Sequence, residues 1–266
     1  MADFVIREYR AGDIPALKAI WAECFGDPET MVDDFYRILP RMGFGLVAEL
    51  EGEVAGAAHM IEGMSIEKSG RLPCAYLYAV GVLEKFRALG MGSALSRGCA
   101  ELAKQRGAEI ICTQPAKKSL YKWYADIIGT KFNLCRSEIE LESAAGFAQR
   151  ISAGEYHSLR EGFLTGTEHM SASLPVIEFE EALCIAYSGG LFKTEAGIAA
   201  AYMEDGKCHI KELLSSGDKM ADAAAVGFAL GAAETVVYQP GCEGNSYVAY
   251  DNEKMGTGCI WNISFD

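Results

Sequence analysis

Apolar and polar residues alternate from Phe4 to Tyr9, which predicts a first strand. Gly12-Asp13 then offers a helix cap, and Ile14, Leu17, Ile20, Trp21 and Cys24 recur at helical spacing. Gly26-Asp27-Pro28 stops that helix and suits the cap and first turn of another, from about Glu29 to Leu39, which Pro40 ends. Phe44 to Leu50 and Val54 to Ile61 read as a hairpin around Glu51-Gly52-Glu53. The apolar run Cys74 to Val82 reads as a buried strand, and Ser93 to Lys104 as a long helix that Gly107 ends. Glu109 to Gln114 is a further strand, Lys118 to Ile127 a helix with Leu120, Trp123, Tyr124 and Ile127 on one face, and Phe132 to Leu141 a closing strand. Consecutive strands two to four are expected to be antiparallel. The strand–helix–strand unit around Ser93–Lys104 is expected to be a parallel crossover.

Between Val82 and Ser93 lies Leu83-Glu84-Lys85-Phe86-Arg87-Ala88-Leu89-Gly90-Met91-Gly92. A strand that runs into a glycine loop and a helix N-terminus is a device for holding phosphate, because free N–H groups and the positive end of the helix converge there. Glycine at 90 and 92 lets the backbone approach an anion with no Cβ in the way. An ordinary tight turn opening a helix is the other reading. A nucleotide-binding P-loop is excluded, since no Gly-Lys-Ser/Thr follows.

Ser143-Ala144-Ala145-Gly146 marks a boundary of small residues. Beyond it, Glu155 to Leu164 and Pro175 to Tyr187 read as helices, and Leu191 to Thr194, Ile198 to Met203 and Cys208 to Leu214 as strands. Glu204-Asp205-Gly206 makes a hairpin turn, Asp218 to Leu230 a helix and Thr235 to Tyr238 a strand. Glu109-Ile110-Ile111-Cys112-Thr113-Gln114-Pro115 is echoed by Glu234-Thr235-Val236-Val237-Tyr238-Gln239-Pro240, each copy preceded by a strand, a helix and a glycine. Where the first copy has Arg87 to Gly92, the second has Leu213-Leu214-Ser215-Ser216-Gly217-Asp218, with an acid where a phosphate would sit. The second half therefore reads as a divergent duplicate without the anion site, with chance similarity of one strand as the competing explanation.

Composition narrows the chemistry. The 266 residues are half hydrophobic and 23% charged, a globular composition with ample core. The formal net charge of -13 argues against nucleic acid and is compatible either with a cationic substrate or with solubility alone. Nine cysteines stand singly with no CxxC pair, and four histidines (59, 157, 169, 209) lack metal-ligand spacing, which points to a reducing cytoplasm and no metal site. Met1-Ala2-Asp3-Phe4 does not open like a signal peptide, and no apolar run is long enough for a membrane helix.

Taken together, these residues resemble the GNAT superfamily of acyl-CoA-dependent N-acyltransferases. Arg87-Ala88-Leu89-Gly90-Met91-Gly92 matches the family signature Q/R-x-x-G-x-G/A, with Phe86-Arg87 in place of the usual Tyr-Arg. Ser119-Leu120-Tyr121-Lys122-Trp123-Tyr124 and Thr130-Lys131-Phe132 resemble its later motifs, and the order of elements agrees over residues 4–141. The resemblance implies an α/β chain of the α+β type: two tandem GNAT-like domains, each a mixed, mostly antiparallel sheet flanked by helices. Residues 1–142 would be the catalytic domain and 143–266 a divergent one lacking the CoA-binding loop. It also implies that the backbone of Val80 and Val82 bonds the acetyl carbonyl and pantetheine arm. The N–H groups of Arg87, Ala88, Leu89, Gly90, Met91, Gly92 and Ser93 would cradle the pyrophosphate of acetyl-CoA, with no metal. Tyr124 would protonate the departing thiolate, a sensible task for a phenol whose pKa lies near that of a thiol; Tyr121, one turn earlier, is the fallback.

Two positions depart from the family pattern. Lys117 stands where an asparagine often reaches the pantetheine, and Tyr78 where the strand often carries a carboxylate base. Glu23, Asp27, His59, Glu62 and the carboxylate of Asp266 are the remaining candidates for the base, with a water chain as the alternative. Trp21, Phe25, Phe35, Tyr36, Tyr76 and Tyr78 are candidates to line an acceptor pocket. The expected activity is direct acetyl transfer to a primary amine, a small cationic molecule, by a cytoplasmic monomer or homodimer with no nucleic-acid or membrane partner. A non-catalytic acyl-CoA sensor is the alternative.

Overall fold

The computed structural model describes residues 3–68, 70–241, 244–263 and 265. Met1, Ala2, Cys242 and Asp266 lie outside the described residues. The chain divides into two units: residues 1–64, 72–132 and 248–254 form the first, and residues 65–71, 133–247 and 255–266 the second. Among the described residues no helix is long and apolar enough to cross a membrane.

The first unit begins with β1 (Val5–Glu8), α1 (Ile14–Cys24) and α2 (Glu29–Met42). Met31, Val32, Phe35, Tyr36, Ile38, Leu39 and Met42 of α2 are buried along one stripe. α2 does not stop at Pro40 but continues to Met42. A proline in the last turn removes a single N–H donor, and burial of Leu39 and Met42 outweighs that loss. Then come β2 (Gly43–Leu50), β3 (Glu53–Glu67) and β4 (Arg71–Val82). β3 and β4 are longer than the alternation suggested, because Met64-Ser65-Ile66 stays buried and extended. α3 (Met91–Gln105) crosses to β5 (Ile110–Thr113), and α4 (Lys118–Ile128) follows. α3 buries Met91, Leu95, Cys99 and Ala103 at four-residue intervals against Phe44, Leu46, Ala75 and Ile111, each fully buried Leu-sized side chain contributing about 2 kcal/mol. β4 and β5 run parallel, Cys74 opposite Ile110 through Leu77 opposite Thr113, as a crossover requires.

The second unit comprises β6 (Phe132–Glu142), β7 (Ala148–Arg150), α5 (Ala153–Leu164), β8 (His169–Ala172) and α6 (Leu174–Ala186). It continues with β9 (Gly190–Thr194), β10 (Gly197–Glu204), β11 (Lys207–Ser215), α7 (Lys219–Ala229) and β12 (Glu234–Gly241). β11 and β12 are again parallel, around Cys208–Ile210 and Thr235–Val237. Its strand order is β6-β12-β11-β10-β9-β7. A last strand, β13 (Asn245–Tyr250), returns to the first unit and pairs antiparallel with β5, Ala249 opposite Thr113 and Tyr250 opposite Cys112. The first unit therefore reads β13-β5-β4-β3-β2-β1, the same six-strand order as the second.

Each unit is completed by a strand from the far side of the other's sequence. β6, which follows α4, pairs along its length with β12 in the second unit, Glu142 opposite Glu234 through Cys135 opposite Gly241. β13, which follows β12, takes the corresponding place beside β5. Asp251 fastens it there: its carboxylate accepts from the Ile111 N–H at 2.8 Å and pairs with Lys104 of α3 at 2.8 Å. The sequence boundary at 142/143 thus differs from the units that form, because strand pairing over more than a hundred residues leaves no local signature.

Candidate active site

The parallel pairing of β4 and β5 stops at Leu77 and Thr113, and beyond it β4 continues alone on that edge from Tyr78 to Val82. Ala79 has φ +46°, a left-handed conformation that an L-residue adopts only when its surroundings hold it there. Ala79 lies two residues past the last pair, where β4 and β5 have parted. On the other edge, the Leu83 N–H donates to the Ala55 carbonyl, and the Gly81 carbonyl lies against Gly56. Odd-numbered residues of the stretch thus face β3, and the backbone groups of Val80 and Val82 face the fork.

After Val82 a short 3-10 turn (Glu84–Phe86) leads into the glycine loop. Arg87 through Gly90 are exposed, and Ala88 and Gly90 both have positive φ, +67° and +85°. Gly90 caps α3 without a side-chain acceptor, and the first helical hydrogen bond runs from Ala94 N–H to Gly90 O. The N–H groups of Met91, Gly92 and Ser93 therefore point out of the helix end. The Met91 side chain is buried in the core, so this residue offers only its backbone. Nothing lies within 4 Å of a Cβ placed on Gly90, and one placed on Gly92 would stand 3.9 Å from both Trp123 and Val82. The cradle is open, electropositive through its dipole and free of acid, which fits a diphosphate. Arg87 Nε donates to the Val82 carbonyl at 3.1 Å and Cys24 Sγ donates to the same oxygen at 3.6 Å. Val82 O is therefore held within the protein, and Arg87 fastens the loop to the end of β4.

Tyr124 is buried, 8% exposed, and its hydroxyl bonds the Thr113 side chain. Thr113 Oγ1 in turn donates to the Leu77 carbonyl at 2.9 Å, so the Tyr124 proton points at Thr113, at the base of the fork. Burial raises the Tyr124 pKa, which keeps the phenol protonated. Tyr121, one turn earlier, is half-buried. Lys117 caps α4 and is exposed.

Each acidic candidate for a base among the described residues has a hydrogen-bond or ionic partner, Glu23 beside the turn that follows β4. Glu23 accepts from the Glu84 N–H at 2.6 Å, and Asp27 accepts from Trp21 Nε1 at 2.7 Å. Glu62 is half-buried 3.7 Å from Arg106, with its pKa raised by burial. His59 is buried among Trp21, Phe35 and Tyr36, and burial pulls its pKa down to about 4. Of the aromatic residues expected along an acceptor pocket, Trp21, Phe35, Tyr36 and Tyr76 are buried core, whereas Tyr78 is half-buried and Phe25 is exposed. The left-handed Ala79, Thr113 and Cys24 escaped the sequence reading; only Thr113, closing an apolar strand, carried a local hint. Among the described residues no group of three or more His, Cys, Asp or Glu is placed to hold a metal.

Residues 5–125 match the family described as Acetyltransferase (GNAT) domain. Among solved structures, a GCN5-related N-acetyltransferase from Kribbella flavida is similar, with a TM-score of 0.68, 18% identity, and coverage of 93% of this chain and 70% of that one. A conserved protein of unknown function from Enterococcus faecalis V583, described as a probable N-acyltransferase, gives 0.71 at 11% identity over 96% and 74%. A putative acetyltransferase from Pyrococcus horikoshii gives 0.61 at 16% identity over 98% and 96%. At these identities the likeness is one of fold, and it runs over nearly the whole chain. A comparison with curated proteins finds no match. The signature loop, the forked sheet and this family match thus coincide within residues 5–125, which are similar to a GNAT acetyltransferase domain, and nearly the whole chain shares the fold of these solved structures.

Proposed function

We propose that the first unit transfers the acetyl group of acetyl-CoA directly to a primary amine, a small cationic molecule. The observation that carries this reading is the continuity of fork and cradle: β4 parts from β5 at Tyr78, and the same strand delivers the chain into the open helix end of α3. The N–H groups of Met91, Gly92 and Ser93 bind the pyrophosphate, with Ala88, Leu89 and Gly90 shaping the loop and Arg87 fastening it. The backbone of Val80 orients the acetyl carbonyl. The amine nitrogen forms the new C–N bond as the C–S bond breaks, its proton passing to water. Tyr124 protonates the departing thiolate after its O–H turns from Thr113, and Tyr121 is the second candidate for this step. Tyr78 and Phe25 offer aromatic faces to a cationic acceptor. Proximity of two bound reactants supplies much of the acceleration.

Titration calorimetry with acetyl-CoA tests the site. Gly90→Glu puts an acid into open space at the cradle. The left-handed backbone at position 90 costs a side chain about 1–2 kcal/mol, so the variant is expected to fold with that loss of stability and to weaken affinity by at least about 100-fold, or ~2.7 kcal/mol; unchanged affinity would refute the assignment. Tyr124→Phe is expected to lower turnover more than affinity in a free-thiol assay with a panel of primary amines. A second reading, a non-catalytic acyl-CoA sensor, draws on the absence of a carboxylate side chain from β4 between Tyr78 and Val82 and on the partners that Glu23, Asp27 and Glu62 already have. Tight acetyl-CoA binding with no thiol release across the panel would favour it.

A further inference from the structure

His59 of β3 is 2% exposed, with Nδ1 3.3 Å from the Ala79 carbonyl oxygen and Nε2 3.1 Å from the Tyr36 hydroxyl. A carbonyl oxygen only accepts, so Nδ1 carries the proton; the ring is neutral, so Nε2 accepts from the Tyr36 O–H. The aromatic rings of Phe35 and Trp21 pack on it, with centroids 5.0 and 5.7 Å away. The place is built for this ring: a Cβ on Gly45 would come within 2.9 Å of His59 Cδ2 and 3.0 Å of Tyr9. The chain thus commits a buried histidine, a tyrosine hydroxyl and a glycine to the backbone of the fork: the imidazole bonds the backbone of Tyr78 as well as the carbonyl of Ala79, the left-handed residue there.

A trans peptide is planar, and its C=O and N–H point in opposite directions. Fixing the Ala79 carbonyl against His59, on the β3 side, therefore turns the Val80 N–H away from β3, into the gap that β5 has left. We propose that His59 is a positioning residue: through its bond to the Ala79 carbonyl it aims the Val80 N–H at the thioester carbonyl of acetyl-CoA in the fork. The inference rests on the acetyl-CoA reading above. His59 touches neither reactant. Its work is to keep an L-residue in a backbone conformation that it would otherwise leave, so that one donor is already oriented when the acyl group arrives.

The test needs no acceptor amine. Acetyl-CoA labelled with carbon-13 at the acetyl carbonyl is bound to the full-length protein, and the carbonyl stretch is read by isotope-edited infrared spectroscopy, with affinity measured alongside by calorimetry. In the wild type the band is expected at lower wavenumber than in free acetyl-CoA. His59→Asn places Nδ2 where Nδ1 was and is expected to keep the shift. His59→Gln, whose amide reaches towards Tyr36 rather than Ala79, and His59→Leu are expected to lose it while affinity stays within about threefold. With a reactive amine, the same two variants are expected to lose about 100-fold in turnover, the scale of one oriented donor. If Leu does not fold, the comparison of Gln with Asn decides alone. A shift retained in Gln and Leu, or lost equally in Asn, overturns the proposal. A wild type that binds no acetyl-CoA overturns the reading beneath it instead, which separates the two failures.

Discussion

At the start of α3 the chain turns through Ala88 and Gly90 and brings no acidic side chain to the helix end. At the start of α7 the Asp218 carboxylate accepts from the N–H groups of Met220 and Ala221, at 3.0 and 3.1 Å, and Asp222 accepts from Ser215 at 2.6 Å. The forks differ in the same sense. β4 leaves β5 with the neutral residues Tyr78, Ala79 and Val80. β11 is irregular where it passes β10: Ala200 faces Glu212 and Ala201 faces Ile210, so Lys211 is the extra residue. Lys211 pairs with Glu180 at 3.2 Å. Glu212 accepts from Arg160 at 2.8 Å and from the Tyr156 hydroxyl at 2.7 Å, every one of these side chains being buried. The two units share a strand order and a crossover. One leaves its helix end and fork open to a ligand, and the other answers both with its own side chains. A shared fold thus fixes where a site can be, and a few residues at the helix cap and the bulge determine whether it is available.

The largest effect should come from separating the halves at 142/143. A fragment of residues 1–142 keeps the cradle but lacks β13 and Asp251, which leaves the β5 edge and the Ile111 N–H unpaired. It is expected to show neither a cooperative melt nor acetyl-CoA binding, and a soluble, binding-competent fragment would break the comparison at its root. Next, Glu212→Ala leaves the buried Arg160 with only Glu161, at 3.3 Å, as an anionic partner and is expected to cost about 3 kcal/mol in urea denaturation. Acetyl-CoA affinity should be unchanged, since the ion pair belongs to the second unit; a parallel loss of affinity would contradict that separation.

The third prediction concerns the neutral histidine at the open fork. Its folded-state pKa, about 4, lies below the usual value of about 6.5, so between those values the unfolded chain binds the proton and the folded chain does not. The contribution to stability is complete above about pH 6.5 and is lost as the pH falls towards 4, roughly 3 kcal/mol in all. Wild type minus His59→Asn stability, measured by urea titration at each pH, is expected to fall across this window; a constant difference would mean that His59 titrates normally. The smallest effect is that of Asp218→Ala, which removes a helix cap at a cost of about 1 kcal/mol. It should create no second acetyl-CoA site, because the charged fork behind it remains. A rise in calorimetric stoichiometry would show that the cap alone had closed it.

Much of this was legible in the sequence. Arg87-x-x-Gly90-x-Gly92, between an apolar strand and a helical stripe, marked the cradle, and the repeat of Gln114-Pro115 in Gln239-Pro240 marked the second crossover. Asp218 was readable as an acid at a helix end. Ala79 was not: an alanine forced to positive φ has no signature, and the histidine that holds it is distant in sequence. β13 was hidden for a related reason. Tyr247-Val248-Ala249-Tyr250 is a plausible strand, but nothing local says that its partner is β5. Pro40 misled because its cost depends on its place in the turn, which periodicity does not resolve.

The exchange of β6 and β13 also orders events in time. During synthesis, residues 1–132 emerge with β5 lacking its neighbour, and Thr113, the residue that holds the Tyr124 hydroxyl, is the one that Ala249 later faces. The first unit becomes complete only when residues 248–254 have left the ribosome, after most of the second unit has been made. A chain that ends between residues 114 and 247 carries the glycine loop and β5 in full and still lacks the strand that pairs with β5. The first unit is thus interrupted in the sequence by most of the second, and its sheet closes only once residues 248–254 are present.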